Sequence, residues 1–372
     1  VERRMVADVP LGAFLSGGVD SSAVVALMAR ASARPVKTFS IGFREDDEEL
    51  GYARMVARRY GTDHRELIVS PAMTRVVGEI VRHHGEPFAD SSSVATWYLA
   101  EMTREHVTVS LSGDASDENL AGYKRYNPAR IGHLHDRLSP ALRGMLRGAL
   151  AHVGRRVHPP FGRFASALGE SEAARYLRLV GQFTPEEKDA LDAPALRDVN
   201  THATRERFEH ILAASAGTFP IARTLDLDFQ TYLTDDINAK VDIASMAHAL
   251  EVRCPFLDTA VVEFSARLPF HALMRVRGKH LLRMAMRELL PWQVLYRTKR
   301  GFALPLERWL ADDLRAMTRD LLLDGTARSR GLFEPRAVEG LFTRFERDRK
   351  DADRIWTLLM LELWFREFID AR

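Results

Sequence analysis

The chain has little cysteine, almost no net charge and no long apolar run. Of its 372 residues only Cys254 is a cysteine, which excludes an internal disulfide, a multi-cysteine zinc site and a two-thiol relay. The 53 Lys and Arg residues nearly balance the 51 Asp and Glu residues and 46% of the chain is hydrophobic, so a mainly disordered chain is excluded. No run of about 18 apolar residues occurs, and the first residues lack the apolar stretch of a signal peptide. We therefore expect no membrane insertion, no export and a cytoplasmic location.

Short β-branched runs alternate with helical patterns through the first third of the chain, which is typical of a parallel sheet covered by helices. We predict strands over residues 9–15, 36–43, 64–69 and 107–111. Apolar spacing predicts crossover helices over residues 22–31, 48–60, 71–84 and 92–105, the last capped by side chains of the Asp90-Ser91-Ser92-Ser93 stretch. Ligands bind at the carboxyl ends of such strands, so chemistry is expected after Leu15, Phe43 and Leu111.

Beyond residue 126 the strand signals end. We predict an α/β core over residues 1–126, a helical insertion over 127–218 broken at Pro159-Pro160, and a helical part over 219–372 that completes one domain. The segment from Lys124 to Arg163 contains nine Lys and Arg residues but only one acidic residue, Asp136. This bias indicates either a solvated helix surface or an RNA contact, and the scarcity of aromatic residues there favours the solvated surface.

A loop rich in glycine and serine, SGGVDSS over residues 16–22, follows the first predicted strand. Gly17 and Gly18 allow backbone amides to approach a phosphate, and the next helix presents unpaired N–H groups and the positive end of its dipole. No Gly-Lys-Ser/Thr follows and a third glycine is absent, which excludes a Walker loop and a dinucleotide fingerprint. Asp20 beside a phosphate implies a divalent cation, magnesium, between the two. The alternative, a plain glycine turn with a serine cap, does not explain the presence of Asp20.

A second cluster follows the fourth predicted strand, with the sequence SGDASDE over residues 112–118. Its three carboxylates, Asp114, Asp117 and Glu118, repel one another unless a cation is near or water surrounds them. An acidic helix start is the alternative interpretation. Because Asp20 and Asp117 both follow strands of one sheet, we expect them to hold magnesium together.

Three later stretches of sequence narrow the choice of protein family. They are Glu251-Val252-Arg253-Cys254-Pro255-Phe256-Leu257-Asp258, Lys279-His280-Leu281-Leu282-Arg283, and Arg297-x-Lys299-x-Gly301-Phe302-x-x-Pro305. The first loop resembles the PP-loop of the ATP pyrophosphatase superfamily. With the later stretches, essentially the whole chain resembles the C-terminal synthetase domain of glutamine-dependent asparagine synthetases. The fold so implied is α/β, a doubly wound parallel sheet of the PP-loop type with a large helical C-terminal part.

The resemblance implies ATP and Mg²⁺ as cofactors and assigns roles to individual positions. ATP contacts are implied at Leu15, Ser16, Gly17, Gly18, Asp20, Ser21, Ser22, Ile41, Ser112 and Gly113, with the adenine held mainly by backbone at Ile41. Asp20 and Asp117 match the magnesium ligands. The implied catalytic residues are Asp114, which supports formation of an aspartyl-adenylate, Lys279, which offsets phosphate charge, and Glu118. Glu118 also lines the substrate side, as do Lys240 and Asp242. We interpret Glu251, Arg253 and Asp258 as structural ion pairs, and Cys254 as a buried small hydrophobe.

The implied reaction is adenylation of a carboxylate, aspartate foremost, followed by amide formation with ammonia. Relatives that close β-lactam rings carry a tyrosine at the position of Asp114, so the carboxylate favours amide formation. Ala115, Asn119, Asn238 and Ile243 depart from the family pattern and leave the acceptor open. Other hypotheses are an amidotransferase for another carboxylate, a tRNA-modifying adenylating enzyme and a catalytically silent homologue.

In the family, glutamine hydrolysis needs an N-terminal cysteine in a separate preceding domain, whereas this chain opens on Val1. We therefore expect ammonia from a glutaminase domain absent from this chain. The resemblance also implies a homodimer.

Overall fold

A computed structural model describes residues 1–44, 47–69, 72–146, 167–197, 199, 202–219, 221–297 and 304–371. The break predicted at Pro159-Pro160 and the positions Lys299, Gly301 and Phe302 lie outside these residues. In the described part of the chain no helix is long and apolar enough to cross a membrane.

Five parallel strands form one sheet in the order β3-β2-β1-β4-β5. The strands are β1 (Leu11–Phe14), β2 (Lys37–Gly42), β3 (Asp63–Ile68), β4 (Val109–Leu111) and β5 (Glu251–Arg253). The four predicted strands are confirmed; β1, β2 and β4 are somewhat shorter than predicted, and β3 has the predicted length but begins one residue earlier. The expectation that residues 219–372 are entirely helical is wrong at β5, which pairs Glu251 with Val109 and Arg253 with Leu111.

The predicted crossover helices are present as α2 (Val19–Ala31), α3 (Glu48–Tyr60), α4 (Met73–His84) and α5 (Ser93–Arg104), after a short α1 (Glu2–Met5). The Asp47 side chain caps α3 by accepting a bond from the Glu49 amide. The apolar residues of α2 and α3 pack on one face of the sheet with Leu15 and Leu111. Leu99 of α5 packs on the other face against Phe39 and Ile41 of β2. Helices on both faces confirm the doubly wound arrangement.

The middle of the chain is helical. It comprises α6 (Ser116–Asn119), α7 (Tyr126–Asp136), α8 (Glu172–Val180), α9 (Pro185–Leu191), α10 (Pro194–Arg197), α11 (Ala203–Ala214) and α12 (Ala222–Gln230). A π-helical turn, Tyr232–Asn238, leads into α13 (Ala239–Met246), and a 3₁₀ turn, Pro255–Leu257, follows β5. These elements bring Tyr232 and Lys240 to the carboxyl edge of the sheet.

The C-terminal helices are α14 (Thr259–Ala266), α15 (Phe270–Leu273), α16 (His280–Met286), α17 (Trp292–Tyr296), α18 (Leu306–Ala311), α19 (Arg315–Leu323), α20 (Gly325–Ser329), α21 (Pro335–Asp348) and α22 (Ala352–Trp364), with a final π-helical turn, Phe365–Asp370. Helices α18, α19, α21 and α22 form a second apolar core with α4, in which Trp309, Phe342 and Trp356 are buried. The helical C-terminal part thus packs against the sheet domain through α4.

Candidate active site

A cavity of about 580 Å³ opens at the carboxyl ends of β1, β2 and β4, where the sequence predicted chemistry. Of the predicted site residues it is lined by Leu15, Ser16, Gly18, Asp20, Ser21, Ile41, Ser112, Gly113, Asp114, Asp117, Glu118, Lys240 and Lys279. Gly17 and Ser22 belong to the same loop but are not among the lining residues, and Ser22 is fully buried. The cavity therefore brings together the loop at residues 16–22, the cluster at residues 112–118 and Lys279.

The loop between β1 and α2 is closed by its own serine side chains. The Ser16 amide donates to Ser21 Oγ at 3.2 Å, and the Gly18 amide donates to Ser16 Oγ at 3.3 Å. Gly17 has φ of 67°, and a Cβ there would lie 2.5 Å from Tyr52 Cβ, so this position requires glycine. The loop presents hydroxyls and the N-terminus of α2 to the cavity, as an anion site needs.

Lys279 lies between two carboxylates that come from different strand ends. Its Nζ is 2.5 Å from Asp20 Oδ2 and 2.8 Å from Asp117 Oδ1, and the lysine is 2% exposed. Burial lowers the pKa of Lys279, but Asp117 and Asp20 outweigh burial and raise it above its ordinary value. Ser116 Oγ donates to Asp20 Oδ1 at 2.6 Å. Three segments distant in sequence thus meet at one ammonium group.

The same two carboxylates fit a magnesium ion that is completed by phosphate. Mg²⁺ is usually bound by one or two carboxylates together with substrate phosphates and water, rather than by an all-protein cage. Among the described residues no group of three or more His, Cys, Asp and Glu side chains could hold a metal ion alone. Asp20 and Asp117, which both pair with Lys279, have carboxylate oxygens of the kind that Mg²⁺ binds beside a phosphate.

The opposite side of the cavity carries buried acidic groups. Glu118 is 1% exposed and accepts a hydrogen bond of 2.6 Å from the Tyr123 hydroxyl, and burial raises the pKa of Glu118 to about 7. Burial also raises the pKa of Asp114 against the opposing effect of Lys240. Lys240 Nζ donates to Asp90 Oδ2 at 2.7 Å and to Ser92 Oγ at 2.8 Å. This side of the cavity offers hydrogen-bonding groups for a small polar acceptor.

Other predicted residues lie away from the cavity lining. Asp242 is exposed on α13 and is not brought to the cavity with Lys240. The structural interpretation of Arg253 is confirmed, since its guanidinium donates to Glu251 at 2.7 Å and to the Val6 carbonyl at 2.8 Å. Asp258 caps α14 by accepting a bond from the Ala260 amide.

Cys254 is partly buried, and its sulfur is 3.2 Å from Ser112 Oγ. Burial raises the pKa of this thiol to about 12, so it stays protonated. The expectation of a plain buried hydrophobe therefore needs correction, because the thiol hydrogen-bonds to a residue of the cavity.

Two departures from the family pattern have separate structural explanations. Asn119 lies outside the cavity lining, donates to the Phe256 carbonyl at 2.7 Å and accepts a 2.7 Å bond from Ser265 Oγ. It joins α6 to the segment after β5. Ala115 lines the cavity with φ of 65°, a left-handed conformation in which glycine is ordinarily found.

Sequence analysis missed Asp90 as a site residue, because it was interpreted only as a helix cap. The Asp90 carboxylate does accept a bond from the Ser92 amide at 2.9 Å, but the same carboxylate also binds Lys240, 150 residues away. Burial alone would raise the pKa of Asp90, whereas its ion pair with Lys240 holds the pKa below its usual range. Tyr123 and Tyr232 were missed as well. The sequence signal for Tyr123 is its position in the Gly122-Tyr123 dipeptide, close after the acidic cluster, and Tyr232 has no such signal.

Comparisons with known proteins match the chain throughout. A family model described as asparagine synthase matches residues 1–366. The chain is similar, at 33% identity over 386 residues, to a Mycobacterium tuberculosis protein named putative asparagine synthetase (glutamine-hydrolyzing), covering 100% of this chain and 56% of the relative. It is 30% identical to asparagine synthetase (glutamine-hydrolyzing) 1 of Bacillus subtilis, covering 100% of this chain and 58% of that protein. A Penicillium rubens protein named amidase chyE matches 92% of this chain at 24% identity, over 57% of its own length. The chain thus spans somewhat more than half the length of these relatives.

Proposed function

The chain belongs to the asparagine synthase family, and on that premise we propose that it is the synthetase part of an ATP-dependent, amide-forming ligase whose acceptor is L-aspartate. The observation that carries this proposal is the meeting of the phosphate loop, the Lys279 cluster and the Asp114 side in one cavity. A nucleotide and a small carboxylate can lie there together. The products would be asparagine, AMP and pyrophosphate.

In the first step, an oxygen of the acceptor carboxylate attacks the α-phosphorus of ATP, and the bond to pyrophosphate breaks. The residue 16–22 loop holds the phosphates by hydroxyl and amide donors, and the Lys279 ammonium offsets the charge that develops on the leaving pyrophosphate. Magnesium held by Asp20 and Asp117 would supply further charge neutralisation. Most of the catalysis is therefore positioning and electrostatic stabilisation.

In the second step, ammonia attacks the acyl carbon of the adenylate and AMP leaves. Lys240, whose ammonium group donates to Asp90 and Ser92, would orient the acceptor carboxylate. Asp114, which lines the cavity with Ser112 and Gly113, would support formation of the acyl-adenylate. The Glu118 carboxyl, which accepts a hydrogen bond from the Tyr123 hydroxyl, would accept the proton that the attacking nitrogen gives up.

The nitrogen source is proposed to lie outside this chain. The relatives are named as glutamine-hydrolyzing, and this chain aligns with 56–58% of their length. The Cys254 thiol stays protonated, which does not suit a nucleophile for glutamine hydrolysis. We propose that a glutaminase domain delivers ammonia to the cavity, that the enzyme is cytoplasmic and that it forms a homodimer.

The test is pyrophosphate release by this chain with Mg-ATP, aspartate and ammonium chloride, and the product identified by mass. Ammonium should support the reaction and glutamine alone should not. Asp114→Asn should lower the rate by about 10²-fold, as loss of a group acting in the transition state does. Asp312→Asn is the matched control, because this exposed surface carboxylate lies 3.7 Å from Arg308 of the preceding helix and does not line the cavity, so the rate should not change.

Two outcomes would contradict the proposal in different ways. If Mg-ATP binds but aspartate elicits no pyrophosphate, the acceptor is another carboxylate. If Mg-ATP does not bind, the ligase proposal itself is wrong. Within the basic stretch Arg125 pairs with the buried Asp228, whereas Lys124, Arg137 and Arg143 are exposed. Salt-dependent RNA binding by the chain would therefore favour the tRNA-modifying alternative.

A further inference from the structure

Two tyrosine rings on the acceptor side of the cavity enclose an arginine of their own chain. The Arg125 guanidinium carbon lies 3.9 Å from the ring centre of Tyr123 and 4.2 Å from that of Tyr232. The two rings meet edge to face, with centres 5.7 Å apart. Tyr123 and Tyr232 line the cavity, whereas Arg125 is not among the lining residues. We call Tyr123 and Tyr232 the acceptor wall.

Arg125 is fixed from behind by a buried carboxylate. Its Nη2 donates to Asp228 Oδ1 at 2.7 Å and its Nε donates to Asp228 Oδ2 at 3.3 Å. The Asp228 side chain is fully buried and also accepts a hydrogen bond from the Tyr176 hydroxyl. A two-pronged pair of this kind fixes the plane of the guanidinium as well as its position. The plane of the guanidinium in turn determines where the two rings can stack.

The acceptor wall connects this pair to the reacting groups. The Tyr123 hydroxyl donates to Glu118 at 2.6 Å, and Tyr232 lies on the π-helical turn that leads into α13, the helix that carries Lys240. The rings come from segments 109 residues apart in sequence. Both rings contact the Arg125 guanidinium, which therefore joins the two segments.

We propose that Arg125, held by Asp228, is the positioning residue for acceptor binding: it fixes the acceptor wall without touching the acceptor. This inference rests on the proposed function, because the wall is an acceptor wall only if the cavity activates a carboxylate. Lysine keeps the charge but lacks the planar, stacking guanidinium, so Arg125→Lys separates the ion pair from the stacking. The nucleotide side of the cavity should not be affected.

The test measures KM for aspartate and KM for Mg-ATP in the full chain, with ammonium chloride as the nitrogen source. Arg125→Lys should raise KM for aspartate about tenfold, because the planar, two-pronged group that stacks on both rings is lost, and leave KM for Mg-ATP within about twofold. Arg130→Lys is the matched control, because Arg130 of α7 lies 5.4 Å from the Phe270 ring centre and is not a lining residue. It should leave both KM values unchanged.

A second variant keeps the test decisive if Arg125→Lys folds poorly. Asp228→Asn keeps an acceptor for Tyr176 but weakens the fixation of Arg125, and it should likewise raise KM for aspartate more than KM for Mg-ATP. Equal changes in both KM values, or a lower melting temperature with both KM values unchanged, would overturn the inference and leave the ligase proposal standing. Failure of the unsubstituted chain to release pyrophosphate would overturn both.

Discussion

Removing the ammonium group of Lys279 should be costly, because this buried cation is shared by two partly buried carboxylates that line the cavity. In Lys279→Met the chain keeps an unbranched side chain of similar length at a position that is 2% exposed. Asp20 and Asp117, now 2.5 Å and 2.8 Å from the ammonium, would face each other without it. Leaving a buried charge without its partner costs about 3–5 kcal/mol.

The free energy of unfolding should therefore fall by about 3–5 kcal/mol in urea at neutral pH without magnesium. Millimolar Mg²⁺ should recover part of this loss in Lys279→Met and stabilise the unsubstituted chain less. The reason is that a divalent ion can occupy the space between the two carboxylates once the ammonium is gone. Pyrophosphate release should fall by about 10²-fold or more, because the charge on the leaving group is no longer offset.

Lys350→Met is the matched control. Lys350 Nζ is 2.8 Å from Asp348 Oδ2, as close as in the buried cluster, but the lysine side chain is 72% exposed. Exposed pairs contribute about 0–1 kcal/mol, so this variant should unfold almost as the unsubstituted chain does. A loss below about 1 kcal/mol in Lys279→Met, equal to the control, would refute the reasoning from burial.

Two further predictions concern packing and pH. In Gly122→Ala the new Cβ would lie 1.9 Å from Asp117 Oδ1 and 2.2 Å from Lys279 Cε, so the melting temperature and pyrophosphate release should both fall. Gly78→Ala, in open space within α4, should instead add about 1 kcal/mol of stability, and an equal loss in both variants would contradict the geometry. Burial lowers the pKa of His84 to about 4, so the neutral ring is favoured in the folded state and stability falls as pH drops below 6.5. Urea unfolding of the unsubstituted chain should lose about 2 kcal/mol more than His84→Leu between pH 7.5 and pH 5, and equal losses would show that this histidine is not responsible.

Strands β1, β2 and β4 were predictable because most of their residues are buried, whereas β3 is a partly exposed edge strand whose apolar residues come only at its end. The sites at the strand ends follow from the geometry of a parallel sheet. Strand β5 was not predictable. It has three residues, of which Glu251 and Arg253 are charged, and its strand conformation comes from pairing with β4 rather than from its own composition. Short edge strands of this kind are defined by their partner.

The candidate site was predictable where one loop carries several of its residues, and not where distant residues pair. The loop at residues 16–22 and the cluster at 112–118 can be recognised from their amino-acid composition alone. The ion pair of Asp90 with Lys240, however, spans 150 positions. The stack of Arg125 between Tyr123 and Tyr232 was hidden in a stretch that composition described only as basic. Tertiary contact alone creates these features.

Strand β5 also has a consequence for the order in which the chain acquires its structure during synthesis. Until residue 253 has left the ribosome, β4 has no partner on its outer side, and its backbone groups form an open sheet edge. Until residue 279 has emerged, Asp20 and Asp117 lack the shared ammonium group. The carboxyl edge of the sheet, although its first strands come early in this chain, is therefore completed only once residue 279 has been made, and a fragment ending before β5 would expose both an unpaired strand edge and an unbalanced charge.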